Sequence, residues 1–150
     1  MNLEQALPRL LPKAVAWAQE QASRALRHGQ PLDDAGRALA KQAGVRAGER
    51  VRVRVVESIP QPEDAELREA ALQTGLLGPD TVGLALGYAV LIRQGFESEA
   101  LLAHELRHVH QYECYGSIEA FLSVYLPQIV QFGYADAPLE VDARLHRPSC

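Results

Sequence analysis

The chain has 150 residues, of which 47 % are hydrophobic and 23 % are charged, and its formal net charge is −4. This length fits one domain that can bury a sizeable core, and the composition is that of an ordinary globular protein. It disfavours collagen, wholly disordered chains and small peptides that need disulfide staples. Three of the five histidines, His104, His108 and His110, fall within seven residues, so this cluster is where we expect the function.

Charge is distributed unevenly along the chain. Residues 1–54 carry ten basic and five acidic side chains, whereas residues 55–150 carry five basic and fourteen acidic ones. The early basic residues are interleaved with alanine and lack aromatic rings on which nucleic-acid bases would stack. They are interpreted as solvated helix faces, and no nucleic-acid partner is predicted.

The cysteines and the N-terminal region favour a cytoplasmic protein. Cys114 and Cys150 are the only cysteines, and the second is the last residue, so we expect no disulfide framework and a reducing compartment. Charges and prolines interrupt the segment 4–13 where a signal peptide would need its apolar core. The longest uncharged run, residues 120–135, is shorter than the roughly 20 residues that span a bilayer.

The first half of the chain is predicted to contain two helices, then a strand and a third helix. Apolar residues recur at helical spacing over residues 3–27, and Pro31 separates this helix from one over residues 33–44. Residues 51–55 alternate strictly between valine and arginine, which is typical of a half-buried strand. A short helix over residues 63–73 follows, and then a Gly-Pro-Asp turn.

Residues 81–92 alternate in side-chain size. The even positions are large, while the odd positions from Gly83 to Ala89 are glycine or alanine. We interpret the segment as one strand with a thin face that another backbone can approach closely. Two roles remain open for it: a strand lying under a helix, or an edge strand that accepts an extended peptide.

The second half is predicted to be mainly helical. A helix begins near Ser98 and runs to about residue 115, and a second covers residues 117–126, either kinked or ended by Pro127. After a loop, a last short helix carries residues 139–146. The coarse prediction is a single α+β domain over residues 1–150, with a helical N-terminal extension over 1–50 and a strand and metal-site core over 51–150.

The sequence His104-Glu105-Leu106-Arg107-His108 is an HExxH motif inside a predicted helix. Residues four apart lie one above the other on a helix, so both imidazoles can bind one ion. Glu105 is rotated by about 100° from His104, which places its carboxylate beside the ion, where it can take a proton from an activated water. The alternative is a pair of buried structural histidines.

Catalytic zinc usually has three protein ligands, so a third is needed. Glu140 is the best candidate because it follows His108 by 32 residues on a predicted helix that can pack against the first. Asp142 is the fallback, and a merely solvated carboxylate is the alternative for either. Glu113 is too near on the same helix and points away. The other downstream acids are Glu119 and Asp136.

HELRH followed by a helix, a loop and Glu140-Val141-Asp142-Ala143 resembles the gluzincin group of zinc metallopeptidases, in particular small bacterial forms with an E-x-x-A third-ligand pattern. The resemblance covers roughly residues 81–144. It implies a zincin-like fold in which His104, His108 and Glu140 bind one Zn²⁺ per chain and Glu105 is the general base. It further implies that residues 81–92 form the edge strand that binds substrate.

Two residues depart from the family pattern. Arg107 is charged where stricter patterns are uncharged, and helix geometry turns it away from the metal. Arg144 stands where the thermolysin-like E-x-x-x-D pattern has an acid that supports a ligand histidine, so that support must come from elsewhere, with Asp136 or Asp142 as candidates. His110 points to the opposite side of the helix and is not expected to be a ligand.

The leading hypothesis is a zinc-dependent peptidase that hydrolyses a peptide or protein substrate. Its oxyanion-stabilising group is left open among five residues: Tyr112, Tyr115, Tyr125, Tyr134 and His146. The main alternative is a catalytically silent or latent zincin-fold module that binds metal or peptide. A third reading is a helical regulatory domain with an accidental motif. The sequence determines neither the substrate nor the oligomeric state.

Overall fold

The structure is a computed structural model that describes residues 1–146 and 150. Within these residues, helices and four short strands form an α+β arrangement around a small mixed sheet. In chain order the elements are α1 (Leu3–His28), β1 (Gln30–Pro31), α2 (Asp34–Ala43), a 3-10 turn (Gly48–Arg50), β2 (Arg52–Val56), α3 (Ala65–Thr74), β3 (Gly83–Leu86), β4 (Ala89–Arg93), α4 (Glu99–Tyr115), α5 (Ile118–Phe132) and α6 (Pro138–Leu145).

Local capping explains where most helices begin and end. Side chains of five N-cap residues accept hydrogen bonds from first-turn backbone amides, namely Asn2, Asp33, Asp64, Ser98 and Ser117. Three helices end at glycines in the left-handed conformation, namely Gly44, Gly75 and Gly116. The predicted helices are confirmed. At Pro127 the helix continues, and α5 runs on to Phe132.

The sheet has the strand order β1-β2-β4-β3. β2 pairs with β4 in parallel, while β1 and β3 lie antiparallel to their neighbours. The predicted strand at residues 51–55 is confirmed as β2, although Val55 is 49 % exposed where a buried position was expected. β3 is an edge strand, and α4 packs against it.

The prediction of one strand over residues 81–92 is wrong, because the segment is the hairpin β3–β4. Gly87 adopts φ +64° at the first position of a two-residue loop between Leu86 and Ala89, which pair across the hairpin. Glycine at this position is typical of the tight turns that join antiparallel strands. The alternation in side-chain size continues through the loop and conceals the reversal of the chain.

The hairpin also limits the thin face to one strand. Leu84 pairs with Leu91, so even positions of β3 share a face with odd positions of β4. Both faces of β4 therefore carry large residues, and residues 89–92 are all buried. Small side chains face α4 only from β3, at Gly83 and Ala85.

A hydrophobic core joins the early helices to the sheet and to the later helices. Helix α1 contributes Val15, Ala18, Ala22 and Ala25 to the same buried cluster as Val90 of β4, Leu106 of α4 and Phe121 of α5. Over residues 1–146 and 150, no helix combines the length and the apolarity needed to cross a membrane. That residues 1–150 form a single domain remains a prediction.

Candidate metal centre

Helix α4 presents the two histidines of the HExxH motif on one face. Ser98 caps its beginning and Gly116 its end, so the helix is regular through the motif. The rings of His104 and His108 lie one turn apart, with centroids separated by 5.0 Å. The His104 side chain is 23 % exposed and the His108 side chain 9 % exposed, so the pair is accessible from the His104 side.

Glu140 lies in the first turn of α6, which begins at Pro138. Its Oε1 is 3.4 Å from His104 Nε2, and its Oε2 is 2.9 Å from His108 Nε2. The ligand atoms of His104, His108 and Glu140 all lie within 4.8 Å of one another. The structure therefore brings the three predicted ligands together from two helices that are adjacent in space, although Glu140 follows His108 by 32 residues in sequence.

The protein does not satisfy both oxygens of the Glu140 carboxylate, and a bound cation would stabilise the oxygen that is left. The side chain is 1 % exposed, and the Tyr125 hydroxyl donates to its Oε2 at 2.7 Å. Its Oε1 is the buried side-chain oxygen, within the described part of the chain, that has no hydrogen-bond partner. An unsatisfied buried carboxylate oxygen is costly. A divalent cation between this oxygen and the two imidazoles would compensate that cost, and two imidazoles with one carboxylate form a donor set typical of zinc.

Gln111 sets the orientation of His108. Its amide nitrogen donates to Asp142 Oδ2 at 2.7 Å and to the Leu139 carbonyl at 2.9 Å, so its Oε1 faces His108 Nδ1 at 2.8 Å. Because an amide oxygen only accepts, Nδ1 must carry the hydrogen. Nε2 is thereby the ring nitrogen that faces Glu140 and the candidate metal position, and it would bind an ion there after losing its proton.

Asp142 supports the site indirectly and does not join the ligands. Its carboxylate forms a bidentate ion pair with Arg107, at 2.9 and 3.0 Å, and Arg107 also donates to the Ala43 carbonyl at 2.8 Å. Arg107 faces away from the three ligands, as predicted. The support expected from an acid thus reaches His108 through Gln111, a residue that the sequence analysis did not single out. Its position three residues after His108, on the same helix face, was the available signal.

Glu105 lies against the edge strand. It is 5 % exposed, and a Cβ built on Gly83 of β3 would lie 2.9 Å from Glu105 Oε2 and 2.9 Å from Leu101 Cδ1. Glycine at this position therefore makes room for the carboxylate. Burial raises the pKa of Glu105, and the histidines His104 and His108 oppose that shift. A raised pKa is suited to a group that takes up and returns a proton near neutral pH.

The electrostatic environment favours a positive charge at His108. Burial lowers the pKa of His108, but the hydrogen bond and charge of Glu140, with the charge of Glu105, outweigh burial and raise it to about 9. Burial raises the pKa of Glu140, and the neighbouring imidazoles outweigh it and lower the pKa well below its ordinary value. The carboxylates of Glu140 and Glu105, which raise the pKa of His108, would also attract a cation.

The other acidic residues that were candidates for a metal ligand lie outside the group of His104, His108 and Glu140. Glu113 accepts from the backbone amides of Arg46 and Ala47 and from the Tyr88 hydroxyl, while Glu119 and Asp136 are exposed. Tyr112 packs on Phe121, and Tyr115 is 39 % exposed. His146 ends α6. The Tyr125 hydroxyl donates to Glu140, and Tyr134, whose pKa is raised by burial and by the charge and hydrogen bond of Glu140, lines the cleft with His104 and Glu105.

Two spaces adjoin the candidate metal position. An open cleft of about 590 Å³ lies between residues 75–83 and α4, and His104, Glu105 and Tyr134 line it. Behind it, an apolar cavity of about 140 Å³ extends between β3, α1 and α5, and Glu105, His108 and Glu140 form part of its wall. Gly83, Glu105 and Tyr134 line both spaces, so the cavity begins next to the site.

The prediction that the cysteines form no disulfide is wrong. Cys114 of α4 and Cys150 are joined by a disulfide, with Cα atoms 5.8 Å apart. Their sequence separation of 36 residues gives no local signal of this proximity, because the pairing of cysteines depends on tertiary structure. His110, as expected, is not among the ligands of the metal centre. It lies beside this disulfide, with Nδ1 2.9 Å from the Gly44 carbonyl.

Comparison with known proteins adds no assignment, since no family model, curated protein or solved structure matches this chain.

Proposed function

We propose that this protein is a zinc-dependent metallopeptidase with a zincin-like fold, in which His104, His108 and Glu140 hold one Zn²⁺ and Glu105 is the general base. The observation that carries the proposal is the convergence of the three ligands around a buried carboxylate oxygen that has no hydrogen-bond partner. A catalytic zinc site also keeps an open coordination position. The partial exposure of His104 towards the cleft supplies the access that this position needs.

The edge strand gives the proposed substrate a place to bind. β3 is the outermost strand of the sheet within the described residues, and it runs along α4 at the metal position. An extended peptide can add to such an edge by main-chain hydrogen bonds. Gly83 would bring that peptide close to Glu105. The apolar cavity behind Gly83 suits an apolar side chain next to the bond that is cut.

The chain's own residues supply the proton transfers. Bound zinc would lower the pKa of a water molecule and polarise the scissile carbonyl. Glu105 takes the proton from the attacking water and returns it to the leaving amine nitrogen. Tyr134 lines the cleft together with Glu105, and its proposed role is to donate a hydrogen bond to the carbonyl oxygen as negative charge develops on it. Gln111 and Tyr125 hold His108 and Glu140 in their orientations.

Metal analysis and one isosteric variant test the proposal. Purified protein, with its disulfide intact, should contain about one zinc ion per chain, and His108→Ala should lose it. Glu105→Gln should retain zinc and lose cleavage of a diverse peptide library, because an amide cannot accept the proton. Glu99→Gln is the matched control, since Glu99 is exposed on the same helix, and it should cleave as wild type does.

The outcomes separate the alternatives. A folded, zinc-free wild type contradicts the metal centre itself. A zinc-loaded wild type that binds peptides and cleaves none favours the silent or latent binding module.

A further inference from the structure

A second group of metal-binding side chains lies at the other side of α4. The ligand atoms of His110, Cys114 and Cys150 all lie within 4.8 Å of one another, and the group shares no residue with the centre formed by His104, His108 and Glu140. His110 and Cys114 are four residues apart on one helix, so their side chains lie one above the other. Cys150 joins them through the disulfide.

The orientation of His110 suits it to be a ligand. Its Nδ1 is 2.9 Å from the Gly44 carbonyl oxygen, an atom that can only accept, so Nδ1 carries the hydrogen. Nε2 then presents its lone pair towards Cys114 Sγ, which is 3.5 Å away. A second ring nitrogen bonded to a backbone carbonyl is the usual arrangement of a metal-bound histidine.

The end of α2 is shaped to hold this ring. Gly44 has φ +93°, and a Cβ at this position would lie 2.9 Å from His110 Nδ1 and 3.0 Å from Cε1. Both the left-handed backbone and the lack of space require glycine there. The imidazole is thus seated against the backbone, and little ordering is left for ligand binding to impose.

We propose that, in the reduced protein, Cys114, Cys150 and His110 form a second metal site for a thiophilic divalent cation such as Zn²⁺, and that the disulfide is the closed, metal-free state of this site. The proposal is independent of the peptidase assignment. Two thiolates and one imidazole form a known zinc donor set with a fourth position for water. The inference rests on the common location of the three ligands and on the orientation of His110.

The distances agree with this site. Tetrahedral zinc with ordinary bond lengths places an imidazole nitrogen about 3.6 Å from a thiolate sulfur and two sulfurs about 3.8 Å apart. The Nε2 to Sγ distance of 3.5 Å already meets the first requirement. The second requires the S–S bond to break and the sulfurs to separate. Cys150 is exposed and lies outside every helix and strand, so its sulfur can move while α4 stays in place.

A dithiol can serve as the reductant that opens the Cys114–Cys150 disulfide. Thiol–disulfide exchange transfers two electrons and two protons from the dithiol to the cysteines, which become two thiols, while the dithiol becomes a disulfide. Binding of the cation then releases the two thiol protons. Oxidation of the thiolates by a disulfide reverses the sequence and expels the metal.

Cobalt(II) titration tests the proposal, because thiolate ligands give an intense sulfur-to-cobalt charge-transfer absorption that histidine and carboxylate ligands do not. Protein reduced by a phosphine, which becomes the phosphine oxide and does not compete as a thiol, should develop this absorption at one equivalent. The oxidised protein should not. The double variant His104→Ala/His108→Ala should keep the absorption, which separates this site from the proposed catalytic centre.

Single variants assign the ligands. Cys150→Ser, at an exposed position, should weaken cobalt binding by at least about tenfold, a change of about 1.4 kcal/mol. His110→Ala should weaken it to a similar degree, and His28→Ala, at an exposed helical position, should have no effect. Should His110→Ala fail to fold, Cys150→Ser decides alone. The proposal is overturned by a reduced wild type without the charge-transfer absorption, or by unchanged binding in a folded ligand variant.

Discussion

Gln111 shows how a single uncharged side chain can control a ligand. It receives the Nδ1 hydrogen of His108 and is itself oriented by Asp142 and the Leu139 carbonyl. Gln111→Ala should leave His108 free to rotate and to change tautomer. We expect zinc affinity to fall about 10- to 100-fold, measured by competition with a chromogenic chelator.

The control for this variant is Gln94→Ala, because Gln94 is exposed and lies away from the site. It should bind zinc as wild type does. Equal affinities for Gln111→Ala and wild type would show that His108 does not depend on this hydrogen bond.

Gly83 is a residue at which β3 approaches α4 closely. A methyl group there would meet the Glu105 carboxylate and Leu101 at 2.9 Å. Because the far end of Glu105 moves more easily than the strand, Gly83→Ala should displace the proposed base and leave the fold intact. We expect kcat/KM for peptide cleavage to fall by about tenfold or more with zinc content unchanged.

Gly48→Ala is the matched substitution, since a Cβ there would meet Ala40 only at an ordinary 3.7 Å. Wild-type activity is expected of it. Full activity in Gly83→Ala would mean that the position of the Glu105 carboxylate does not limit the reaction.

The buried ion pair between Arg107 and Asp142 joins helix α4 to helix α6. A hydrogen bond from Arg107 to the Ala43 carbonyl joins α4 to α2. Arg107→Ala would remove the guanidinium that forms two hydrogen bonds with the buried Asp142 carboxylate. The free energy of unfolding should fall by about 3–5 kcal/mol, measured by urea denaturation.

Arg24→Ala provides the comparison, because Arg24 forms an exposed pair with Glu20 on the surface of α1. Its loss should change the free energy of unfolding by no more than about 0.5 kcal/mol. Similar losses in the two variants would contradict a special role for the buried pair.

The helices could be predicted because their signals are local. Ser98, Gly116 and the HExxH spacing define α4 without reference to the rest of the chain, and Pro138 defines the beginning of α6. The hairpin was missed because Gly87 was counted as one more small residue in an alternating strand, although it forms the turn. Gln111 and the Cys114–Cys150 disulfide were missed because the role of Gln111 depends on the packing of α6 against α4 and the disulfide joins residues 36 positions apart, neither of which a local pattern encodes.

A metal ion that binds only the folded chain should stabilise the folded state of the whole molecule. Zinc at about one hundred times its dissociation constant would add about 2.7 kcal/mol, and its removal should lower the thermal midpoint by about 5–10 °C. The measurement is calorimetry of the disulfide-bonded protein with and without a chelator, so that Cys114 and Cys150 cannot bind zinc.

Glu140→Gln is the control, because it keeps the shape of the side chain and removes the anionic ligand. Its thermal midpoint should hardly respond to the chelator. An equal response in wild type and variant would place the stabilising metal somewhere other than beside Glu140.

The placement of Glu140 on α6 has a consequence for biosynthesis. Chains emerge from the ribosome N-terminus first, so His104, Glu105 and His108 are made well before the helix that supplies the third proposed ligand. Until α6 packs against α4, a growing chain holds two histidines and a carboxylate base but no complete centre. The proposed hydrolytic activity would then arise only after α6 has been made and has packed against α4, which protects the emerging polypeptide from cleavage by its own motif until that point.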